Sequence, residues 1–121
     1  MCDCDYERPS MHEVGTSIAR KPHKCYECSR AILPGERYER AVGVWAGEFA
    51  VFKTCSLCLS LREFVGSRVE CVCWGYGNVR CDAIETARYH SEVPGLLFGA
   101  WRREALIRRE KERQLKALEE K

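Results

Sequence analysis

The pattern of apolar and polar residues predicts three helices in the second half of the chain. The first ends near Gly66, and its apolar stripe repeats at helical spacing through Leu57, Leu61, Phe64 and Val65. Asn78 can cap a short second helix from Val79 to about Tyr89. Pro94 and Gly95 then break the chain, and the strong helix formers that follow predict a third helix of about 20 residues.

The third helix carries its apolar residues mainly in its first half. One face is expected to dock on the rest of the protein, namely Leu97, Trp101 and Ala105, with Leu106 close by. Beyond Ile107 no apolar face continues for about two turns, so we expect the distal half to project into solvent. It is then either a solvated tail or a docking helix. In the second case Leu115 and Leu118 meet a partner or a second copy, or the arginines meet phosphate.

Alternating apolar residues predict a β-hairpin before the first helix. Its first strand begins near Glu36, after a Pro34-Gly35 dipeptide that favours a type II turn. Its second strand ends at Lys53, and Thr54 can cap the helix that follows. Residues 1–20 show neither a helical nor a strand period and are expected to form a loop.

Two C-x-x-C pairs flank this hairpin. The chain reads CYEC at 25–28 and CSLC at 55–58. Four soft thiolates in a tetrahedron suit Zn²⁺ better than other common metals. We therefore predict one closed, structural zinc site formed by Cys25, Cys28, Cys55 and Cys58. His23 is a further candidate ligand, although a histidine in this position more often lies outside the ligand set.

A second group of cysteines predicts a second zinc ion. The C-x-C pair at 71–73 mirrors the pair at 2–4, and residues i and i+2 of an extended segment face the same side. The sulfurs of each pair must lie within about 3.8 Å of each other to share an ion. Alternatives replace one ligand with Cys81 or His90, or leave free thiols, and Cys81 is otherwise expected to be buried or half-buried. The predicted ligands are Cys2, Cys4, Cys71 and Cys73.

Composition favours a cytosolic protein. The chain has 121 residues, 31% of them charged, and no apolar run long enough to cross a bilayer, so no membrane partner is expected. Its first residues lack the basic head and apolar core of a signal peptide. Cytosolic thiols stay reduced, so nine cysteines indicate metal ligands rather than disulfides. The formal charge of +2 becomes −2 if two zinc ions each replace four thiol protons, so global basicity gives no support to nucleic-acid binding.

A knuckle, a hairpin and a helix that begins with the second cysteine pair follow the order of a treble-clef zinc finger, and residues 25–66 resemble that group. At a finer level, the N-terminal CDC, ARKPHKCYEC, PGERYER, FKTCSLC and the later C-x-C-W-G resemble small zinc proteins of bacteriophages and prophages. The first resemblance implies the fold and the metal. The second implies a phage or prophage origin and a regulatory role, with no named activity.

The residues favour a protein without catalytic activity. An HNH nuclease on a treble clef needs histidines on the hairpin, and residues 29–54 contain none. The three histidines are scattered, and neither a Gly-rich phosphate loop nor a helical H-E-x-x-H is present. Thioredoxin-like chemistry expects one C-x-x-C in a βαβ setting, so two paired motifs favour metal binding.

The predicted fold class is α+β, with a small zinc-stabilised, treble-clef-like core at 25–66 in a zinc-binding domain of residues 1–95, followed by a charged helix at 96–121. We expect an adaptor or regulator that binds a protein partner through this helix and the exposed aromatics Trp74 and Tyr76. The alternative is a nucleic-acid binder that uses the basic 20–30 segment and the same helix. Its cations would be Arg20, Lys21, Lys24, Arg30, Arg102, Arg103, Arg108 and Arg109. The oligomeric state is left open.

Overall fold

The computed structural model describes residues 8–119 of the chain. Its strands are β1 (Met11–Ile18), β2 (His23–Lys24), β3 (Ala31–Ile32), β4 (Arg37–Trp45) and β5 (Glu48–Cys55). Its helices are α1 (Ser56–Gly66), α2 (Val79–Tyr89) and α3 (Leu96–Glu119). An antiparallel sheet has the order β1-β4-β5, and β2 pairs with β3 in a small hairpin. The predicted α+β class is confirmed, and knuckle, hairpin and helix follow one another in the expected order.

Two tight turns set the path of the chain before α1. Gly35 has a φ of +93°, and the amide of Glu36 donates to the carbonyl three residues earlier over 3.0 Å, as a type II turn requires. Between β4 and β5, Ala46 and Gly47 both have positive φ, at 51° and 80°. Such a turn has a twist that matches its flanking strands, so β5 returns along β4 and delivers Cys55 to the core.

The N-terminal segment forms a strand where the sequence predicted a loop. β1 pairs along its length with β4, from Met11 opposite Val44 to Ile18 opposite Arg37. All eight of its side chains are exposed, so the strand needs no alternation of apolar and polar residues. Main-chain hydrogen bonds to β4 hold it, and these leave no signature in hydrophobic periodicity.

Helix α1 begins one residue later than predicted. Thr54 remains within β5, because the ladder with β4 continues as far as the pair of Tyr38 and Cys55. Cys55 is therefore the N-cap, and the prediction of Thr54 as the cap is wrong. The apolar stripe is confirmed: Leu61 and Val65 are fully buried, and Leu57 and Phe64 pack against the same core.

Helix α2 has the predicted bounds, and Asn78 is its N-cap residue as predicted. Asn78 makes no capping hydrogen bond through its side chain. The carboxylate of Glu27, between the two cysteines of the first pair, instead accepts from the amides of Gly77 at 2.7 Å and Val79 at 3.0 Å. Burial raises the pKa of Glu27, although these two amides oppose the shift. The first cysteine pair is thereby joined directly to the start of α2.

Helix α3 docks through a face one position away from the predicted one. Its buried residues are Leu96, Gly99, Ala100, Glu104 and Ile107. Trp101 and Ala105, predicted to dock, are exposed, whereas Leu97 packs partly against the core. The buried face includes the carboxylate of Glu104, which accepts from Nε of Arg80 in α2 over 3.0 Å. Because this buried face includes a charged residue, the spacing of apolar residues alone predicted the wrong face of α3.

The distal half of α3 lies against the β2–β3 hairpin, where the sequence predicted a helix in solvent. The side chain of Gln114 accepts from the amide of Ala31 over 2.8 Å and donates to its carbonyl over 3.0 Å. The amide group of Gln114 therefore satisfies both polar atoms of this residue in β3. The buried apolar residues Leu96, Ala100 and Ile107 belong to the same core cluster as the four cysteines of the two C-x-x-C pairs.

Candidate metal centre

The two C-x-x-C pairs meet at one point of the core. The first lies on the loop between β2 and β3, and the second joins the end of β5 to the first turn of α1. The Sγ atoms of Cys25 and Cys58 are 3.9 Å apart, and those of Cys28 and Cys55 are 3.8 Å apart. All four sulfurs lie within 4.8 Å of one another. Around an ion with bonds of about 2.3 Å, tetrahedral sulfurs are about 3.8 Å apart. We call these four residues the four-cysteine cluster.

Local backbone geometry directs the pairs toward this point. In the β2–β3 loop, Ser29 has a φ of 67°, and its amide donates to the carbonyl of Cys25 over 2.9 Å. The amide of Cys55 donates to Sγ of Cys25 over 3.3 Å, which favours the thiolate form of that ligand. The N-terminus of α1 adds partial positive charge beside Cys55 and Cys58.

The cluster is a set of buried thiols in which ionisation of one disfavours ionisation of another. The four side chains are at most 1% exposed. The pKa of Cys55 is lowered because Cys25, and then Cys28 and Cys58, hydrogen-bond to its thiolate. The pKa of Cys58 is raised by its hydrogen bonds to Cys25 and its other two neighbours, and burial adds to the shift. A divalent cation would stabilise every thiolate at once and so remove this conflict.

These observations fit a metal ion held by four sulfur ligands. Within residues 8–119, this is the only group of three or more Cys, His, Asp or Glu with ligand atoms so close together. Four protein ligands leave no open position for a substrate, so the ion would supply folding energy rather than catalysis. His23 is not part of this group. Its Nδ1 instead lies 3.1 Å from Nζ of Lys53.

The second predicted site lies only partly within the described residues, since Cys2 and Cys4 fall outside them. The Sγ atoms of Cys71 and Cys73 are 3.8 Å apart, but each of the two cysteines is disulfide-bonded in this structure. Neither is therefore present as the thiolate that a zinc ion requires, contrary to the expectation of reduced ligands. Both cysteines line a cavity of about 430 Å³ together with His90, one of the alternative ligands. A second ion therefore has no support in the described residues and stays a prediction.

Cys81 does not line that cavity. It is a free thiol on the outer side of α2, and the expectation that it would be buried or half-buried is wrong. It lies two residues after the buried Val79 and two before the buried Ala83, which places it on the opposite side of the helix.

The cations predicted for nucleic-acid binding fall into two groups. Arg30 is buried and bonds the carboxylate of Glu36 over 3.0 Å. Arg103 stacks on the ring of Phe64 at 3.8 Å, and Arg108 pairs with the carboxylate four residues before it. The other cations are exposed and make no ion pair or hydrogen bond with a described residue: Arg20, Lys21, Lys24, Arg102 and Arg109. The predicted basic surface is therefore interrupted by arginines with internal partners.

A groove lies between the end of α3 and the β2–β3 hairpin. The sequence predicted an interaction surface on the α3 side of this groove only. Its volume is about 470 Å³. Leu33 is 41% exposed, Leu115 51% and Leu118 67%, and all three line it. Leu115 and Leu118 were candidates from their spacing, but only the docking of α3 brings Leu33 beside them. We call this surface the leucine groove.

Trp74 and Tyr76 are half-buried in an aromatic cluster rather than fully exposed. The ring of Tyr76 stacks on Phe52 of β5 at 4.5 Å, and its hydroxyl lies 3.0 Å from Nε2 of His12 in β1. Trp45 of β4 completes the cluster. Sequence reasoning missed His12 because it placed residues 1–20 in a loop.

No known protein family, curated protein or solved structure matches the chain. Among the helices of residues 8–119, none combines the length and the apolar character needed to span a membrane.

Proposed function

We propose that the protein is a zinc-stabilised adaptor without catalytic activity, which binds an acidic, amphipathic helix of a partner protein in the leucine groove. In this proposal the four-cysteine cluster holds zinc, the ion that four thiolates favour. The proposal includes a cytosolic location and the phage or prophage origin that the sequence motifs imply.

The observation that carries the proposal is a group of exposed leucines in a strongly charged part of the chain. Leu33, Leu115 and Leu118 all face one cavity of about 470 Å³. Contiguous exposed apolar residues on a small protein indicate an interaction surface. An amphipathic helix binds such a groove by inserting apolar residues spaced three and four positions apart.

The charges around the groove indicate the kind of helix. Arg30 pairs with Glu36 and Arg113 with Glu110, so both are neutralised locally. The other two cations of the lining, Lys24 and Lys111, make no ion pair with a described residue. The lining contains no carboxylate. Acidic side chains beside the apolar face of a partner helix would pair with these lysines and speed its association.

The nucleic-acid alternative has weaker support. It rests on the five exposed cations without internal partners, two of which, Arg102 and Arg109, lie on α3. Leucines offer nothing to a phosphate, whereas they are the side chains that an amphipathic helix buries.

Fluorescence anisotropy with a labelled, designed peptide tests the proposal on the full, zinc-loaded chain. The peptide has about 14 residues, or four helical turns, with leucines at helical spacing and glutamates elsewhere. We expect micromolar binding that Leu115→Asp weakens by about tenfold or more, because it places a carboxylate in the groove. Leu106→Asp is the matched control, since Leu106 is 45% exposed on the same helix but does not line the groove.

Two outcomes would overturn the proposal. One is equal binding by the protein and its Leu115→Asp variant, or no binding by either. The other is preferential binding of a labelled DNA duplex of about 20 base pairs, with affinity that falls steeply with salt and is lost in Arg102→Ala/Arg109→Ala. That second result would replace the proposal with the nucleic-acid alternative.

A further inference from the structure

A second open cavity, separate from the leucine groove, is lined by aromatic side chains. Its volume is about 390 Å³, and it lies between the three-stranded sheet and the loop before α2. We call it the aromatic pocket, and the residues that matter for the argument are His12, Trp45, Phe52, Trp74, Tyr76 and Asn78. None of them lines the leucine groove.

The rings of the pocket are arranged as walls at right angles. Phe52 and Tyr76 are stacked with only 8° between their planes, so each covers a face of the other. Trp45 and Trp74 stand at 84° and 86° to the ring of Tyr76. The parallel rings of Phe52 and Tyr76 are in direct contact with each other, so they leave no slot between them for a flat nucleobase. Perpendicular walls instead suit a compact, non-planar ring.

The wall formed by Trp45 depends on a glycine in the same strand. A Cβ atom on Gly43 would lie 2.6 Å from the indole of Trp45, so the absence of a side chain at this position allows the indole to lie over β4. The guanidinium of Arg62 lies over the ring of Trp74, 4.6 Å from its centroid. Both tryptophans are therefore positioned by neighbours rather than by a ligand.

Two of the polar groups of the pocket are donors without an acceptor among the described residues. The indole N–H groups of Trp45 and Trp74 donate to no described residue, and neither nitrogen is a buried, unsatisfied atom. Water therefore reaches both, and a ligand can take its place. The lining contains no Asp, Glu, Lys or Arg, so it offers no charge to a phosphate or to an ammonium group.

We propose that the aromatic pocket binds a proline-rich segment of a partner protein in the polyproline II conformation. Such a segment presents pyrrolidine rings to aromatic walls. Proline has no N–H and a free carbonyl, so the segment supplies acceptors where the pocket supplies indole donors. The segment is uncharged, as the lining is, and its preformed conformation limits the entropy lost on binding.

Titration of the full, zinc-loaded chain with a labelled peptide of about ten prolines tests this site. We expect binding that quenches or shifts tryptophan fluorescence. Trp74→Phe keeps an aromatic wall but removes the N–H donor, so it should weaken binding about fivefold to tenfold. Trp101→Phe is the matched control, because Trp101 is 36% exposed and lines a different cavity. It should leave binding unchanged.

Circular dichroism must show that both variants fold as the unmodified chain does. Equal affinity of the three proteins for polyproline, or no binding at millimolar peptide, would overturn the assignment. So would tighter binding of single-stranded DNA or of a trimethyllysine peptide than of polyproline. Leu115→Asp should not affect polyproline binding, so this site and the leucine groove can fail separately.

Discussion

The four-cysteine cluster and the docking face of α3 are parts of one hydrophobic core, yet they are held in different ways. In the cluster, four side chains converge on a single point, and the loss of one affects the other three together. The docking face is distributed along the helix, from Leu96 through the ion pairs of Glu104 to the hydrogen bonds of Gln114. Substitution of any one cysteine of the cluster should therefore unfold the core completely. Substitutions in the docking face should instead lower the free energy of unfolding by different, smaller amounts.

The largest effect is expected from loss of the zinc ion proposed for the four-cysteine cluster. Apparent binding energies of structural zinc are about 10–16 kcal/mol, which is as large as the stability of many whole domains. Cys58→Ser or a strong chelator should therefore unfold residues 25–66, as measured by far-UV circular dichroism and thermal melting. Cys81→Ser, at the exposed free thiol, should change the free energy of unfolding by less than about 0.5 kcal/mol. A Cys58→Ser variant that melts like the original chain would contradict the expected complete unfolding.

A smaller effect is expected from the buried carboxylate of α3. Glu104→Ala removes the acceptor for Arg80 and Arg108 and leaves a cavity at the junction of α2 and α3. We expect the free energy of unfolding to fall by about 2–3 kcal/mol, since both arginines keep some access to water. Denaturant titration measures this loss. The exposed Glu112→Ala is the control, and equal losses for both variants would count against a role for burial.

The close approach of α1 and α3 gives a prediction with an internal control. A Cβ atom on Gly99 would lie 2.3 Å from the ring of Phe64 in α1, whereas one on Gly66 would meet nothing within 4 Å. Gly99→Ala should therefore destabilise the protein by roughly 1–2 kcal/mol through overpacking. Gly66→Ala, also in a helix, should be neutral or stabilising by up to about 1 kcal/mol. Thermal melts of the two variants that shift in the same direction would contradict the packing argument.

The smallest effect on global unfolding is expected at the end of α3, because a helix end can open locally while the core stays folded. Gln114→Ala removes the two hydrogen bonds to Ala31, and each such bond contributes about 0.5–1.5 kcal/mol. Amide hydrogen exchange of residues 110–119 should become faster while that of α1 stays unchanged. Lys116→Ala, at an exposed position, should change the exchange rate of neither segment. Unchanged exchange in Gln114→Ala would mean that other contacts hold the distal helix.

The same comparison explains what the sequence could reveal. The four-cysteine cluster was predictable because ligand spacing is a local pattern and thiolate chemistry admits few alternatives. The bounds of α2 and the stripe of α1 were predictable for the same reason, since they depend on residues three and four positions apart. Glycine and proline placed the turn at Gly35.

The features that were missed depend on residues distant in the chain. β1 exists because β4 offers it a hydrogen-bonding edge, and all its side chains are exposed. Glu27 caps α2 from 52 positions away, and Gln114 binds Ala31 from 83 positions away. The buried face of α3 includes a carboxylate, because Arg80 of another helix pairs with it. Hydrophobic periodicity carries no information on polar contacts of this kind.

Native mass spectrometry of the purified chain tests the central claim most directly, because it counts bound ions. The account predicts that Cys25→Ser carries one zinc ion fewer than the unmodified chain, whereas Cys81→Ser carries the same number. If the second predicted site also forms, the unmodified chain carries two ions and Cys71→Ser carries one. An unmodified chain without zinc, or a Cys25→Ser variant that keeps every ion, would contradict the claim that the four-cysteine cluster is a metal centre.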